Sequence, residues 1–255
     1  MVEAFAISDP GLVRKTNEDS YICNQQLQLY VVADGMGGHS AGEVASRLAI
    51  ETIEGFISRS HDDSDFSWPY GIDPQLSLGG NRLRTAVHLA NRRVFRASES
   101  RDDYAGMGTT VTAVLVTGDT LSYAHVGDSR LYALRGGALD QVTRDDSWVA
   151  TLLANEPSLK KADLAQHPMR HVLTNVVGAR DQVEVQLSEF TLQPGMLFLI
   201  CSDGLHGMAD EQVMARILSR GGSLDDMGYA LLQAAIEGGG HDNITAVLIR
   251  YTDQP

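Results

Sequence analysis

Cysteine is scarce in this 255-residue chain: there are two, Cys23 and Cys201, and neither stands in a CxxC or Cys/His ligand spacing. That excludes a disulfide framework and a thiolate metal site, and it favours a reducing, cytoplasmic setting. Positive charge is also short. Twenty Lys and Arg against 33 Asp and Glu leave a formal net charge of −13, which argues against a nucleic-acid binder, because phosphate backbones need clustered positive potential. No apolar run approaches the roughly 18–20 residues that cross a bilayer, and Met1-Val2-Glu3-Ala4 lacks the basic and apolar regions of a leader. No internal repeat, low-complexity tract or charge block interrupts the chain. The expectation is a monomer without membrane or nucleic-acid partners.

What remains is enough to build a core, with 43% hydrophobic and 21% charged residues, and residues 1–255 read as a single domain. Short β-branched runs predict strands at Leu27–Ala33, Val111–Thr117, Leu121–Val126, Arg130–Leu134, Gln141–Thr143, Met196–Ser202 and Ile244–Tyr251. Thr117-Gly118-Asp119-Thr120 and Arg135-Gly136-Gly137-Ala138 read as hairpin turns, which implies antiparallel sheet. Helices are predicted over Ala41–Ser58, Asn81–Ser100, Asp210–Ser219 and Leu224–Glu237, the last with a capping box at Ser223 and Asp226. The segment Ser58–Gly80 reads as a long surface connection. Hairpins and clustered helices without strict βαβ alternation make the fold class α+β.

The chemistry lies in aspartates beside small residues at strand ends. These are Val32-Ala33-Asp34-Gly35, Val126-Gly127-Asp128-Ser129, Cys201-Ser202-Asp203-Gly204 and His241-Asp242-Asn243-Ile244. A single Asp-Gly pair is an ordinary turn. Repeated at strand ends, such pairs bring carboxylates together, and their repulsion calls for a hard cation, Mg²⁺ or Mn²⁺, held by oxygen alone. Arg14-Lys15-Thr16-Asn17-Glu18-Asp19-Ser20 adds further oxygens and a guanidinium suited to phosphate.

These segments, together with Met36-Gly37-Gly38, Gly108-Thr109-Thr110 and Gly240-His241, occur in the order found in metal-dependent serine/threonine protein phosphatases of type 2C. The chain resembles the compact bacterial members from about Ala4 to Tyr251. The resemblance implies an αββα sandwich of two antiparallel sheets flanked by helices, with a flap at about 143–179 beside the site. It implies that Asp34 bridges two Mn²⁺ or Mg²⁺ ions, with the Gly35 carbonyl on one of them. Asp203 and Asp242 complete one ion's shell, Glu18 holds the other, and Asp128 supports a third, weaker ion. Arg14 clamps the substrate phosphate. Trp148 and His167-Pro168 are flap contacts. Some relatives carry a histidine after the bridging Asp-Gly pair; Met36 stands there, and His39 becomes the candidate substrate contact or general acid.

The implied reaction is hydrolysis of phosphoserine and phosphothreonine in proteins by a metal-bridging hydroxide, opposing a serine/threonine kinase. Rival readings are weaker. His61-Asp62 and His241-Asp242 mimic the His-Asp dyads of nucleotide phosphohydrolases, but the latter leads into a strand. A silent phosphoprotein-binding module of the same fold would have lost metal carboxylates, and none is missing here. Neither cysteine has a phosphate cradle, so a cysteine-nucleophile phosphatase is disfavoured.

Overall fold

The structure, a computed structural model, describes residues 1–38, 40–62, 68–156, 158–160, 164 and 167–252, with backbone alone at 61 and 62. One sheet runs in the order β1 (Val2–Asp9), β11 (Ile244–Tyr251), β10 (Leu197–Cys201), β7 (Arg130–Arg135) and β8 (Ala138–Gln141). The other runs β2 (Asp19–Asn24), β3 (Leu29–Met36), β5 (Val111–Thr117), β6 (Thr120–Val126) and β9 (Gln186–Thr191), with the short β4 (Gly108–Thr109) beside β3. The strand pairings that build both sheets are antiparallel. Helices α1 (Ala41–Asp62) and α2 (Leu78–Ser100) cover the second sheet, and α4 (Asp203–His206), α5 (Glu211–Ser219) and α6 (Leu224–Glu237) cover the first. The αββα sandwich stands.

Strand alternation explains the layers. Leu29, Val31 and Ala33 of β3 pack toward α1 and α2, while Tyr30 and Val32 point between the sheets. On β10 and β11, Leu199, Cys201, Ala246 and Leu248 face the late helices, and Ile200, Val247 and Ile249 meet β3 across the sandwich. Continuing the same parity by one step carries Asp34, Ser202 and Thr245 to the inward face at one end of the sandwich. Apolar filling stops there and polar groups begin.

Differences from the sequence reading have local causes. Strand β1 has few β-branched residues and is held in a full register with β11, from Val2 opposite Tyr251 to Asp9 opposite Ile244. Its strand character is conferred by that partner, as it is for the polar strands β2 and β9. The predicted strand at Gln141–Thr143 sits earlier, at Ala138–Gln141, because pairing with β7 sets the register through the Gly136-Gly137 turn. Helix α2 begins at Leu78: Ser77 caps it, accepting from the Gly80 N–H at 3.1 Å. Gly79-Gly80, read as part of a linker, lies in that first turn, where a Cβ at Gly80 would fall 2.5 Å from Glu189 Oε1. A short helix not foreseen, α3 (Trp148–Asn155), stands within the segment 143–179.

Candidate active site

Two strands of one sheet and the ends of two strands of the other deliver the acids to one place. Asp19 opens β2 directly opposite Asp34 on β3. Asp203 follows β10 and Asp242 precedes β11. Asp128 lies in the loop between β6 and β7. Glycines permit the approach: a Cβ at Gly35 would collide with the Gly42 carbonyl, and one at Gly204 with the Asn243 carbonyl. Gly42, in the first turn of α1, leaves room for the Glu18 carboxylate, whose Oε2 would lie 2.7 Å from a Cβ there.

Asparagines and threonines fix the backbone that carries these groups. Asn243 Oδ1 accepts the Glu18 N–H at 2.8 Å, while its amide donates to the carbonyls of Thr16 at 2.9 Å and Pro10 at 3.1 Å. One side chain thus anchors the loop that bears Arg14 and Glu18. Thr110 Oγ1 accepts the Asp34 N–H at 2.9 Å and bonds Ser129 Oγ at 2.7 Å. This links the Asp34 strand to the Asp128 loop.

The electrostatics are those of acids crowded away from water. Burial first, then the neighbouring acids Asp19, Asp203, Asp128 and Asp242, push the Asp34 carboxyl well above its usual range. Burial pushes Asp128 up to about 7, with Asp203 adding to the shift. Asp203 is raised by burial first and then by the charge of Asp242. Burial also raises Glu18. On the rim, Arg14 Nη2 donates to Asp242 Oδ2 at 2.6 Å, and this bond raises the guanidinium's own pKa. Arg14 is therefore engaged by one of the candidate ligands, a contact the sequence reading did not foresee.

Asp19 is the buried acid of the cluster to which that reading gave no role. Its Oδ2 accepts from Thr245 Oγ1 at 2.6 Å and Ser202 Oγ at 2.7 Å, yet its buried Oδ1 has no hydrogen-bond partner among the described residues. Burial pushes its pKa up to about 7. The signal was present in the Glu18-Asp19 pair; what it lacked was evidence of which acid faces inward, and strand parity decides that.

The residues fit divalent cations by donor chemistry: an all-oxygen set, mutually repelling, with a buried carboxylate oxygen left unbonded. Among the described residues, however, no three His, Cys, Asp or Glu side chains already close around one point. The Arg14 ion pair with Asp242 offsets part of the acids' repulsion. His39 lies outside the described residues, and so do the side chains of the His61-Asp62 dyad. His241-Asp242 leads into β11 as expected. In the segment 143–179, Trp148 and His167 stack with ring centroids 4.4 Å apart.

An antiparallel αββα sandwich with an acid cluster at one end of its inter-sheet layer defines a class, and residues 14–228 match the family model described as protein phosphatase 2C. The chain belongs to that family. It is 36% identical over 251 residues to serine/threonine protein phosphatase PstP of Mycobacterium tuberculosis, covering 97% of this chain and 45% of that protein. The chain thus spans about half the length of that relative. It is 33% identical to the serine/threonine phosphatase stp of Listeria monocytogenes, covering 95% of this chain and 93% of the other. The structure of the PstP catalytic domain in complex with two manganese ions superposes with a TM-score of 0.83 at 34% identity, covering 99% of both chains.

Proposed function

We propose that this chain hydrolyses phosphoserine and phosphothreonine in proteins, as a metal-dependent phosphatase in which residues 1–255 act as one catalytic domain. The observation that carries this reading is the all-oxygen cluster of Asp34, Asp203, Asp242, Asp128, Glu18 and Asp19, buried at Asp19 and partly open to solvent at Asp242, with Arg14 on its rim. In this reading Asp34 and the Gly35 carbonyl would hold two Mn²⁺ or Mg²⁺ ions together with Asp203 and Asp242 for one and Glu18 for the other, and Asp128 would hold a weaker third. Bound there, divalent ions supply Lewis acidity, neutralising phosphate charge and making water acidic enough to ionise near neutral pH.

The remaining work falls to the chain itself. Arg14 exchanges Asp242 for two nonbridging phosphate oxygens, a swap its exposed, long side chain allows. Asp19 Oδ1, unbonded and buried beside Asp34, is placed to accept a hydrogen bond from water in the site. The Asn243 and Thr110 bonds keep these oxygens in position, so that little reorganisation is required as charge builds on the phosphoryl group. His39 remains the proposed second substrate contact, and 143–179 the flap over the phosphopeptide. The opposing enzyme is a serine/threonine kinase, and the setting is a cytoplasmic monomer. Phosphate release from a phosphothreonine peptide, with Mn²⁺ and with chelator, tests the reading. Turnover only with metal is expected; an inert chain at saturating Mn²⁺ would leave a binding module.

A further inference from the structure

The loop that bears Asp128 is gripped on both flanks by Asp145 and Asp146, the consecutive carboxylates that precede α3. On the near side, Gly127 has both backbone groups taken by Asp146: its N–H donates to Asp146 Oδ2 at 3.1 Å, and its carbonyl accepts the Asp146 N–H at 2.6 Å. Gly127 sits at φ +105, and a Cβ there would lie 2.7 Å from Thr110 Cγ2, so the loop has no other residue to offer at that turn. On the far side, Asp145 takes the Arg130 guanidinium through Nε at 2.9 Å and Nη2 at 2.7 Å. Between them, the Asp128 carbonyl bonds His206 Nε2 at 3.0 Å, and Ser129 Oγ meets Thr110 Oγ1 at 2.7 Å. The backbone on either side of Asp128 is thus pinned, and with it the direction in which its carboxylate can point.

Asp146 also reaches the other end of the flap segment. The same Oδ2 accepts from Asn175 Nδ2 at 2.8 Å, and that amide donates again to the Glu184 carbonyl at 2.7 Å. Its backbone carbonyl accepts the Thr174 N–H at 2.8 Å, and the Trp148 N–H reaches the Val172 carbonyl at 2.8 Å. One side chain therefore joins the base of 143–179, where it leaves and where it returns, to the residue immediately before Asp128.

We propose that Asp146 is a positioning residue for Asp128, tying its loop to the residues before α3 and to Thr174 and Asn175 so that the direction of the Asp128 carboxylate is fixed. This rests on the reading of Asp128 as the ligand of a third, weaker ion. Asp145 is the poorer lever for a test. The Arg130 side chain is 7% exposed, and removing Asp145 leaves that buried charge with only Glu211 at 3.5 Å and the Tyr132 hydroxyl, which threatens the fold. Asp146 is only half-buried, and its partners are hydrogen-bond donors without charge.

The experiment titrates the intact chain with Mn²⁺ alone by calorimetry and electron paramagnetic resonance, beside phosphopeptide kinetics. Asp146→Ala should weaken the third ion about tenfold, the usual scale for losing a partner behind a metal ligand, and leave the two tight ions unchanged. Asp146→Asn keeps an acceptor and should fall between the wild type and Asp146→Ala. The kcat should drop with little change in KM, and Asp146→Ala should cost nothing further in an Asp128→Ala background. A general structural defect would add to the Asp128→Ala loss instead, and that result overturns the proposal. So does a third-ion affinity that neither Asp146 variant moves. If Asp146→Ala fails to melt cooperatively, Asp146→Asn carries the test alone, with a smaller fall in third-ion affinity expected. A wild type active with two ions only, or Asp128→Ala that keeps the third, removes the Asp128 assignment and the proposal with it. A wild type inactive at every Mn²⁺ concentration fails the phosphatase reading itself.

Discussion

At the scale of single residues, the site is a contest between acids that repel and the few groups that hold them. Arg14 is one of those groups: it bonds Asp242, and in the proposed function it also takes the substrate phosphate. Arg14→Ala should raise KM for phosphopeptides on the order of tenfold by removing a two-pronged, charge-assisted contact. Because Asp242 is then released, Mn²⁺ should bind no more weakly than before; a clear loss of Mn²⁺ affinity would make Arg14 a support of the ligand set. Arg14→Lys should restore only part of the KM, since a point charge cannot match the fork. Asp34→Asn should abolish turnover while raising the melting temperature of the metal-free protein, because it removes a buried charge surrounded by Asp19, Asp203, Asp128 and Asp242. Near-normal kcat at saturating Mn²⁺ would move Asp34 out of the site.

At the scale of elements, glycine contacts and helix caps separate what serves the site from what serves only the fold. Gly204→Ala drives a Cβ into the Asn243 carbonyl, and Asn243 is the side chain that anchors the Arg14–Glu18 loop. The strain should cost about 1–3 kcal/mol of stability, and turnover should fall with it as Glu18 and Asp242 shift. Ser223 caps α6, accepting the Asp226 N–H at 3.3 Å on the side of the molecule away from the acids. Ser223→Ala should cost about 1 kcal/mol in urea denaturation and leave kcat untouched. Equal effects of the two variants on kcat would show that activity tracks overall stability, not the geometry of the acid-bearing loops.

At the scale of the molecule, the buried acids tie stability to pH and to metal. Asp19 and Asp128 are both pushed up to about 7, and Asp34 and Asp203 are also raised. A carboxyl whose folded pKa lies above its unfolded value binds more protons when folded, so its contribution is present at low pH and is lost as pH rises through the folded pKa. The metal-free protein should therefore lose melting temperature as pH climbs from about 4 to about 7. Saturating Mn²⁺ should reverse the trend, since ions bind the deprotonated acids of the folded state and release protons on doing so. Melting curves across that range, with and without Mn²⁺, read the sign directly; a metal-free melting temperature that rises with pH contradicts it.

What the sequence determined by itself was local. The runs Val111–Thr117, Leu121–Val126 and Ile244–Tyr251 are dense in branched residues and form strands, and Gly118 in the turn helps fix how the first two join. Asp34, Asp128, Asp203 and Asp242 announced themselves by standing next to small residues at strand ends. The tertiary structure decided everything that depends on a partner distant in sequence. Strands β1 and β2 exist because β11 and β3 lend them hydrogen bonds. Asp19 joined the cluster because pairing with β3 sets it directly opposite Asp34. Arg14 met Asp242, 228 residues away, and Asp146 met Gly127 because sheet stacking and loop closure brought them within hydrogen-bond reach. Periodicity and turn chemistry are written within a few residues of chain. Register and burial come from surfaces that meet only when the sandwich closes, and no local pattern encodes which polar oxygen is left without water.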